Sequence, residues 1–266
     1  MKYIDINCDM GESFGAYTIG MDPEVIPLIT SANIACGFHA GDPMVLRDTV
    51  RMAAKNGGGI GAHPGFPDLM GFGRRKMECS LSEISNYLIY QVGAIRGFCD
   101  VENVLLQHVK PHGGLYNMAA ENEEIFRTIA ESIALIDQKL LLVSLAGKNA
   151  PRFREIAENV GIRVIFEAFP DRAYTPKGTL APRSNPNAVI TDPAEVARRA
   201  LLMAEKGIIE ADDGSMLSLE ADTLCVHGDT PSAVDLVRHI REILTQNNVT
   251  IMPMAEIQAL NPGKYN

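Results

Sequence analysis

Twice between residues 31 and 63 an apolar run ends in a histidine and breaks into glycine, proline and aspartate. The first run, residues 31–36, leads to His39; the second, residues 58–62, leads directly to His63. Between them residues 43–56 read as a helix, with Pro43 at its first position and Val45, Leu46, Val50, Met52 and Ala53 along one side. Strand, loop, helix and strand make a βαβ unit with parallel strands. Its loops open at the carboxyl ends of the strands, where folds of this kind hold their ligands. The pattern recurs, because residues 104–109 deliver Lys110 and His112, and residues 223–226 deliver His227.

The rest of the chain continues the alternation. Residues 3–8 form a first strand, with Tyr3, Asp5, Asn7 and Asp9 on one face and Ile4, Ile6 and Cys8 on the other. Further strands are expected at 140–145 and 163–169. Helices are expected at 80–97, opened by a Ser80/Glu83 capping box, and at 121–136. Two more follow at 150–160, ended by Gly161, and at 193–206, capped by Asp192, with a last long one at 232–246. Residues 208–211 and 216–219 flank Asp213-Gly214 and predict a hairpin, and 251–254 predict a short terminal strand. Residues 175–191 have no period and read as a lid or binding loop. Seven strand-then-helix units predict an α/β fold, a (β/α)7 TIM-like barrel. An eight-stranded barrel using the terminal strand is the near alternative, and a doubly wound open sheet the more distant one. Barrels of this length run undivided, so residues 1–266 are expected to be one catalytic domain.

A net charge of -9, with no zinc-finger or basic-helix pattern, argues against a nucleic-acid surface. No apolar run reaches membrane-spanning length. The first strand follows Met1 without room for a signal peptide, so a cytoplasmic protein is expected. Five cysteines without C-x-x-C spacing predict buried thiols rather than a disulfide framework.

Four of the six histidines, His39, His63, His112 and His227, fall at or just after strand ends; His108 and His239 read as structural. Around the same mouth come Asp9, Glu12, Asp42, Asp68, Lys110, Glu167, Asp171, Arg172 and Asp229. Asp9, Glu12, His39, His63, Lys110 and His112 are the catalytic candidates. Asn7, Arg74, Glu167, Asp171, Arg172, His227 and Asp229 are the candidates for holding substrate. Asp5, deeper in its strand, is expected to pair with Lys110 across the barrel. Arg74, Arg75 and Arg172 are suited to clamping a carboxylate or phosphate, although the adjacent pair reads equally well as solvated surface. Such a ring can bind a divalent metal that activates water, or it can do metal-free acid–base work. In the metal-free case a carboxylate is the base, and Lys110 and His112 hold the developing negative charge. No H-E-x-x-H motif is present, and metal-free chemistry is preferred. No phosphate loop occurs either: Gly147-Lys148 is followed by Asn149 and lacks the upstream glycine.

Six strings carry a likeness to a known family. They are D-I-N-C-D-M-G-E-S-F-G at 5–15, N-I-A-C-G-F-H-A-G-D-P at 33–43, G-A-H-P-G-F-P-D-L-M-G-F-G-R-R at 61–75, V-K-P-H-G-G-L-Y-N at 109–117, E-A-F-P-D-R-A-Y at 167–174 and C-V-H-G-D at 225–229. Together they resemble the LamB/YcsF family over nearly the whole chain. Gly114, where alanine is familiar, and Phe66, where tyrosine is usual, are small departures. The resemblance implies a barrel related to the glycoside hydrolases and polysaccharide deacetylases. It also implies ATP-coupled opening of 5-oxoproline to L-glutamate in a multisubunit 5-oxoprolinase, with partner subunits B and C. With no phosphate loop in this chain, ATP is expected to be bound or used through those partners. The relation to deacetylases suggests Asp9, His39 and His63 as the ligands should a divalent metal be present. Two rival readings stay open: a metal-dependent amidase or deacetylase, and a noncatalytic regulatory subunit that binds a small acid.

Overall fold

A computed structural model describes residues 2–226 and 233–260. Its element order is β1 (Lys2–Met10), α1 (Asp22–Val25), β2 (Ser31–Ala35), α2 (Pro43–Lys55), β3 (Gly59–His63), α3 (Leu81–Val101) and β4 (Leu106–Val109). Then come α4 (Gly113–Glu121), α5 (Glu123–Ile136), β5 (Leu141–Leu145), α6 (Ala150–Val160), β6 (Arg163–Ala168) and α7 (Pro193–Lys206). The chain continues through β7 (Ile208–Glu210), β8 (Met216–Ser218), β9 (Thr223–Cys225), α8 (Ala233–Gln246), β10 (Val249–Ile251) and α9 (Met254–Leu260).

Seven parallel strands close into a barrel in the order β1, β2, β3, β4, β5, β6, β9, and β9 returns to β1. The closing register pairs Asp5 with Thr223, Ile6 with Leu224 and Asn7 with Cys225. β10 lies outside this ring. It pairs in parallel with β1 only over residues 2–4, before β9 takes over the same edge. The terminal strand therefore extends β1 without becoming an eighth stave. β7 and β8 make the expected antiparallel hairpin.

Local signals explain the helix boundaries. Asp42 accepts from the Met44 and Val45 amides and caps α2 ahead of Pro43. Its other oxygen accepts from the Gly15 amide at 2.8 Å, so Asp42 is a brace between two loops and not a group of the mouth. Those amides hold its carboxyl below the usual aspartate range. The Ser80/Glu83 capping box opens α3, which continues to Val101 because Cys99 is still buried against the core. The helix expected over 121–136 is α5, and a further helix not expected from the sequence, α4, precedes it. Asn122 ends α4 and caps α5 through the Glu124 and Ile125 amides.

Alternation along the strands separates two environments. Ile4, Ile6, Cys8 and Met10 face outward into the main apolar core with the surrounding helices. Inside the barrel, Asp5 accepts from Thr30 at 2.8 Å, from Ser31 at 2.6 Å and from Thr223. It does not pair with Lys110, which stands higher and takes other carboxylates. Burial pushes the Asp5 carboxyl up to about 6, against the pull of those three hydroxyls. His108 reaches from β4 to Asn33 on β2, 2.8 Å from its Oδ1, passing over Gly61 on β3. A Cβ on Gly61 would lie 2.0 Å from the His108 ring, so the glycine makes room for that bond. On the far side, Leu141, Val143 and Ile165 form a separate apolar cluster with Met254 of α9. All five cysteines are free. Among the described residues no helix is long and apolar enough to cross a membrane.

Candidate active site

A cavity of about 410 Å³ opens at the carboxyl ends of the strands. Asp9, Glu12, His63, Lys110, His112 and Tyr116 lie toward the barrel, while Arg74, Lys76, Arg172 and Arg183 contribute positive charge around them.

Lys110, just past β4, is the centre of the charged floor. Its Nζ lies 2.9 Å from Asp9 Oδ1 and 2.8 Å from Glu167 Oε1, with Asn7 Oδ1 at 3.3 Å and Cys225 Sγ at 3.1 Å. Burial opposes a charge here, but the Asp9 and Glu167 carboxylates outweigh it and hold the ammonium well above the ordinary lysine value. Glu167 also accepts from Tyr116 Oη at 2.9 Å. Burial and this carboxylate push the Tyr116 phenol well up, so the tyrosine remains a donor. With its hydrogen bonds directed to Asp9, Asn7 and Cys225 and its ion pair to Glu167, Lys110 holds Asp9 in place. Asn7 bonds Thr223 at 2.6 Å and Asn33 at 2.7 Å. Neither Asn7 nor Glu167 lines the cavity; both lie beneath it.

The histidines converge beside this floor. His63 Nδ1 is 2.7 Å from the Lys110 carbonyl, and His112 Nε2 is 2.8 Å from the Phe72 carbonyl. A carbonyl only accepts, so each of those nitrogens carries a proton. The remaining nitrogens, His63 Nε2 and His112 Nδ1, face each other at 2.9 Å. Asp9 Oδ2 is 3.2 Å from the former, and Glu12 Oε1 is 4.0 Å from the latter. His39 stacks on His112 with ring centroids 3.7 Å apart and is fully buried, with no hydrogen bond at either ring nitrogen. Burial and the neighbouring imidazoles keep His39 and His112 well below the usual histidine pKa, hence neutral. Donor atoms of Glu12, His39, His63 and His112 all lie within 4.8 Å of one another, a set that can coordinate a metal ion.

This set differs from the Asp9, His39 and His63 expected as ligands, because Asp9 is held by Lys110 while Glu12 and His112 turn inward. His108 and His112 have H-x-x-x-H spacing, but on a strand and its following turn; only His112 reaches the cluster. Two glycines allow the crowding. A Cβ on Gly73 would lie 2.7 Å from His39 Cβ, and one on Gly65 2.8 Å from His39 Nδ1. Gly114 is similarly placed, since an alanine Cβ there would meet the Arg75 carbonyl at 2.6 Å.

The arginines divide by task. Arg74 lines the cavity and covers the Phe72 ring at 4.8 Å. Arg75 instead forks onto Asp68, which accepts from its Nε at 2.9 Å and so serves the loop, not the mouth. Arg172 borders the cavity, yet its guanidinium donates to the Ala188 carbonyl at 3.1 Å and the Ala181 carbonyl at 2.6 Å. It fastens the 175–191 loop, whose residues 179–183 form a wall of the cavity. Asp171 is buried and does not border the cavity. His227 and Asp229 lie outside the described residues. Tyr116 escaped the sequence reading because its place, one turn into α4 from His112, is visible only once that helix is known.

A closed seven-stranded parallel barrel with a buried histidine–carboxylate cluster at its strand ends defines a (β/α)7 barrel protein. The chain belongs to the LamB/YcsF family, whose model matches residues 4–259. It is 51% identical over 253 residues to the A subunit of 5-oxoprolinase from Pyrococcus furiosus, covering 95% of this chain and 98% of the relative. It is 47% identical to the corresponding A subunit from Halalkalibacterium halodurans, covering 96% and 98%. Among solved structures, the lactam utilization protein of Thermus thermophilus superposes with a TM-score of 0.86 at 48% identity, covering 94% of this chain and 99% of that one. The peptidoglycan deacetylase PdaC from Bacillus subtilis shares the fold at 12% identity, with a TM-score of 0.51, covering 99% and 93%.

Proposed function

We propose that this chain is the ring-opening subunit of a 5-oxoprolinase, hydrolysing the lactam bond of 5-oxoproline to give L-glutamate with ATP as the driving co-substrate. The names of its close relatives support the reaction and its division among subunits. The observation that carries the reading at the site is the setting of Asp9. One oxygen is held by Lys110, the other stands beside His63, and the whole group lies at the floor of a cavity ringed by Arg74, Lys76 and Arg183.

A lactam carbon is a weak electrophile, and an amide nitrogen leaves badly. Transfer of the ATP γ-phosphoryl group to the lactam oxygen yields ADP and a more electrophilic ring carbon. Water then adds to that carbon and gives its proton to Asp9. The carbon–nitrogen bond breaks, the nitrogen takes that proton, and a second water releases phosphate. Arg74 and Arg183 bind the substrate carboxylate and the phosphoryl oxygens. With no phosphate loop in this chain, subunits B and C supply the nucleotide site.

The test is an assay of glutamate and ADP with each subunit omitted in turn. Turnover is expected only from the complete mixture. Full ATP-dependent turnover by this chain alone would overturn the partner claim, and no glutamate from the complete mixture would overturn 5-oxoproline as substrate.

A further inference from the structure

We propose that Glu12, His39, His63 and His112 together hold one divalent first-row transition ion. The backbone points to it first. The Lys110 and Phe72 carbonyls each take the N–H of one histidine, and this leaves the lone pairs of His63 Nε2 and His112 Nδ1 aimed at each other across 2.9 Å. Two acceptors at that distance repel unless a cation sits with them. Fixing the ring that binds a metal by hydrogen-bonding its far nitrogen is how metal-ligating histidines are held.

His39 gives the second, independent sign. A fully buried imidazole with no hydrogen bond at either nitrogen is costly unless something else satisfies it. Its Nε2 is 3.9 Å from Glu12 Oε1, and Glu12 Oε1 is 4.0 Å from His112 Nδ1. Four ligands about 2.1 Å from a tetrahedral ion stand roughly 3.4 Å apart. The contacts of 2.9, 3.9 and 4.0 Å bracket that edge and all four donor atoms lie within 4.8 Å of one another, so shifts on the order of 1 Å, with His39 turning out of its stack on His112, close the shell. Three imidazoles and one carboxylate select zinc, cobalt, iron or manganese over magnesium or calcium, which take oxygen ligands. When bound, such an ion supplies Lewis-acid activation of water or of the lactam oxygen. Asp9 stays outside the shell, held by Lys110, with Oδ2 3.2 Å from His63.

The proposal stands apart from the substrate reading, because its readouts are binding and spectra, not turnover. Protein stripped with a chelator is titrated with Co²⁺ and followed in the visible range, and Zn²⁺ uptake is measured by equilibrium dialysis with elemental analysis. One equivalent bound at micromolar or lower Kd, with the intense bands of four-coordinate Co²⁺, is expected. Glu12→Gln, which keeps the side-chain shape, and His112→Ala should each weaken Zn²⁺ binding by at least about tenfold. His239→Ala, on the exposed face of α8, should leave it unchanged. The proposal is overturned if wild-type protein takes up Zn²⁺ and Co²⁺ only at millimolar concentration. It is equally overturned if Glu12→Gln and His112→Ala both bind as wild type does, for the ion would then lie elsewhere. A shared proton between His63 and His112 would be the surviving explanation of their 2.9 Å contact.

Discussion

The two sides of the barrel interior are built on opposite principles. On the side of β1, β2, β4 and β9, Asp5, Asn7, Asn33, His108 and Thr223 form a continuous hydrogen-bonded lattice that rises to Asp9 and Lys110. On the side of β5 and β6, Leu141, Val143 and Ile165 pack with Met254 and make no polar contact through their side chains. Buried polar groups cost more than they return unless every one is paired, whereas apolar groups need only volume. The polar side therefore tolerates little change but can aim a carboxylate and several imidazoles to a fraction of an ångström. The apolar side holds the staves together without directing anything. Glu167 joins the two, rising from β6 two residues beyond Ile165 to reach Lys110.

The comparison breaks most sharply at the Lys110–Asp9 pair. Lys110→Met leaves the buried Glu167 carboxylate and the half-buried Asp9 without the Lys110 cation, and should lower stability by about 3–5 kcal/mol. Asp9→Asn keeps size and removes the proposed base; it should cut glutamate formation by about 10²–10⁴ while the urea midpoint moves far less than in Lys110→Met. Urea denaturation and the complete-mixture assay on both variants make the check. Equal stability losses in the two would dissolve the distinction between a positioning lysine and a catalytic carboxylate.

A pH effect of the next size lies lower in the same lattice. Asp5 is held at about 6 in the folded protein against an ordinary 3.8. The folded state thus keeps a proton that the unfolded chain releases between those values. Its contribution is complete below about pH 4 and is lost as pH rises through 6, by up to about 3 kcal/mol. Asp5→Asn mimics the protonated acid. Its urea midpoint relative to wild type should rise between pH 4 and pH 7; parallel profiles would show that Asp5 does not titrate in that window.

Much of this was legible in the sequence, and what was not has a common cause. Strand-end histidines announced the mouth, and His39, His63 and His112 do meet there, because β-strands that share a barrel share its rim. Period two placed Asp5, Asn7 and Asp9 on one face correctly, but it could not say which stands level with Lys110. Barrel strands are staggered, so height depends on register, and the register sets Asp9 and not Asp5 beside Lys110. Neighbouring Arg74 and Arg75 looked alike in sequence and part company at the loop, one toward the cavity and one onto Asp68. α4 was not expected from the sequence, and its two opening glycines are poor helix formers. They serve instead to let the helix start pack on the Gly73 and Arg75 carbonyls.

The smallest expected effect sharpens the comparison from the apolar side. Ile165 is fully buried in the Leu141–Val143–Met254 cluster, two residues before Glu167 on the same strand. Ile165→Val removes one methylene and should cost about 0.5–1.5 kcal/mol in urea denaturation. An apolar contact has no preferred direction, so β6 can settle slightly without turning Glu167 away from Lys110, and kcat and KM in the complete mixture should match wild type. Were kcat to fall severalfold at that modest stability cost, the two sides would be mechanically coupled through β6. The apolar cluster would then help to aim Lys110 and Asp9, instead of only keeping the barrel closed.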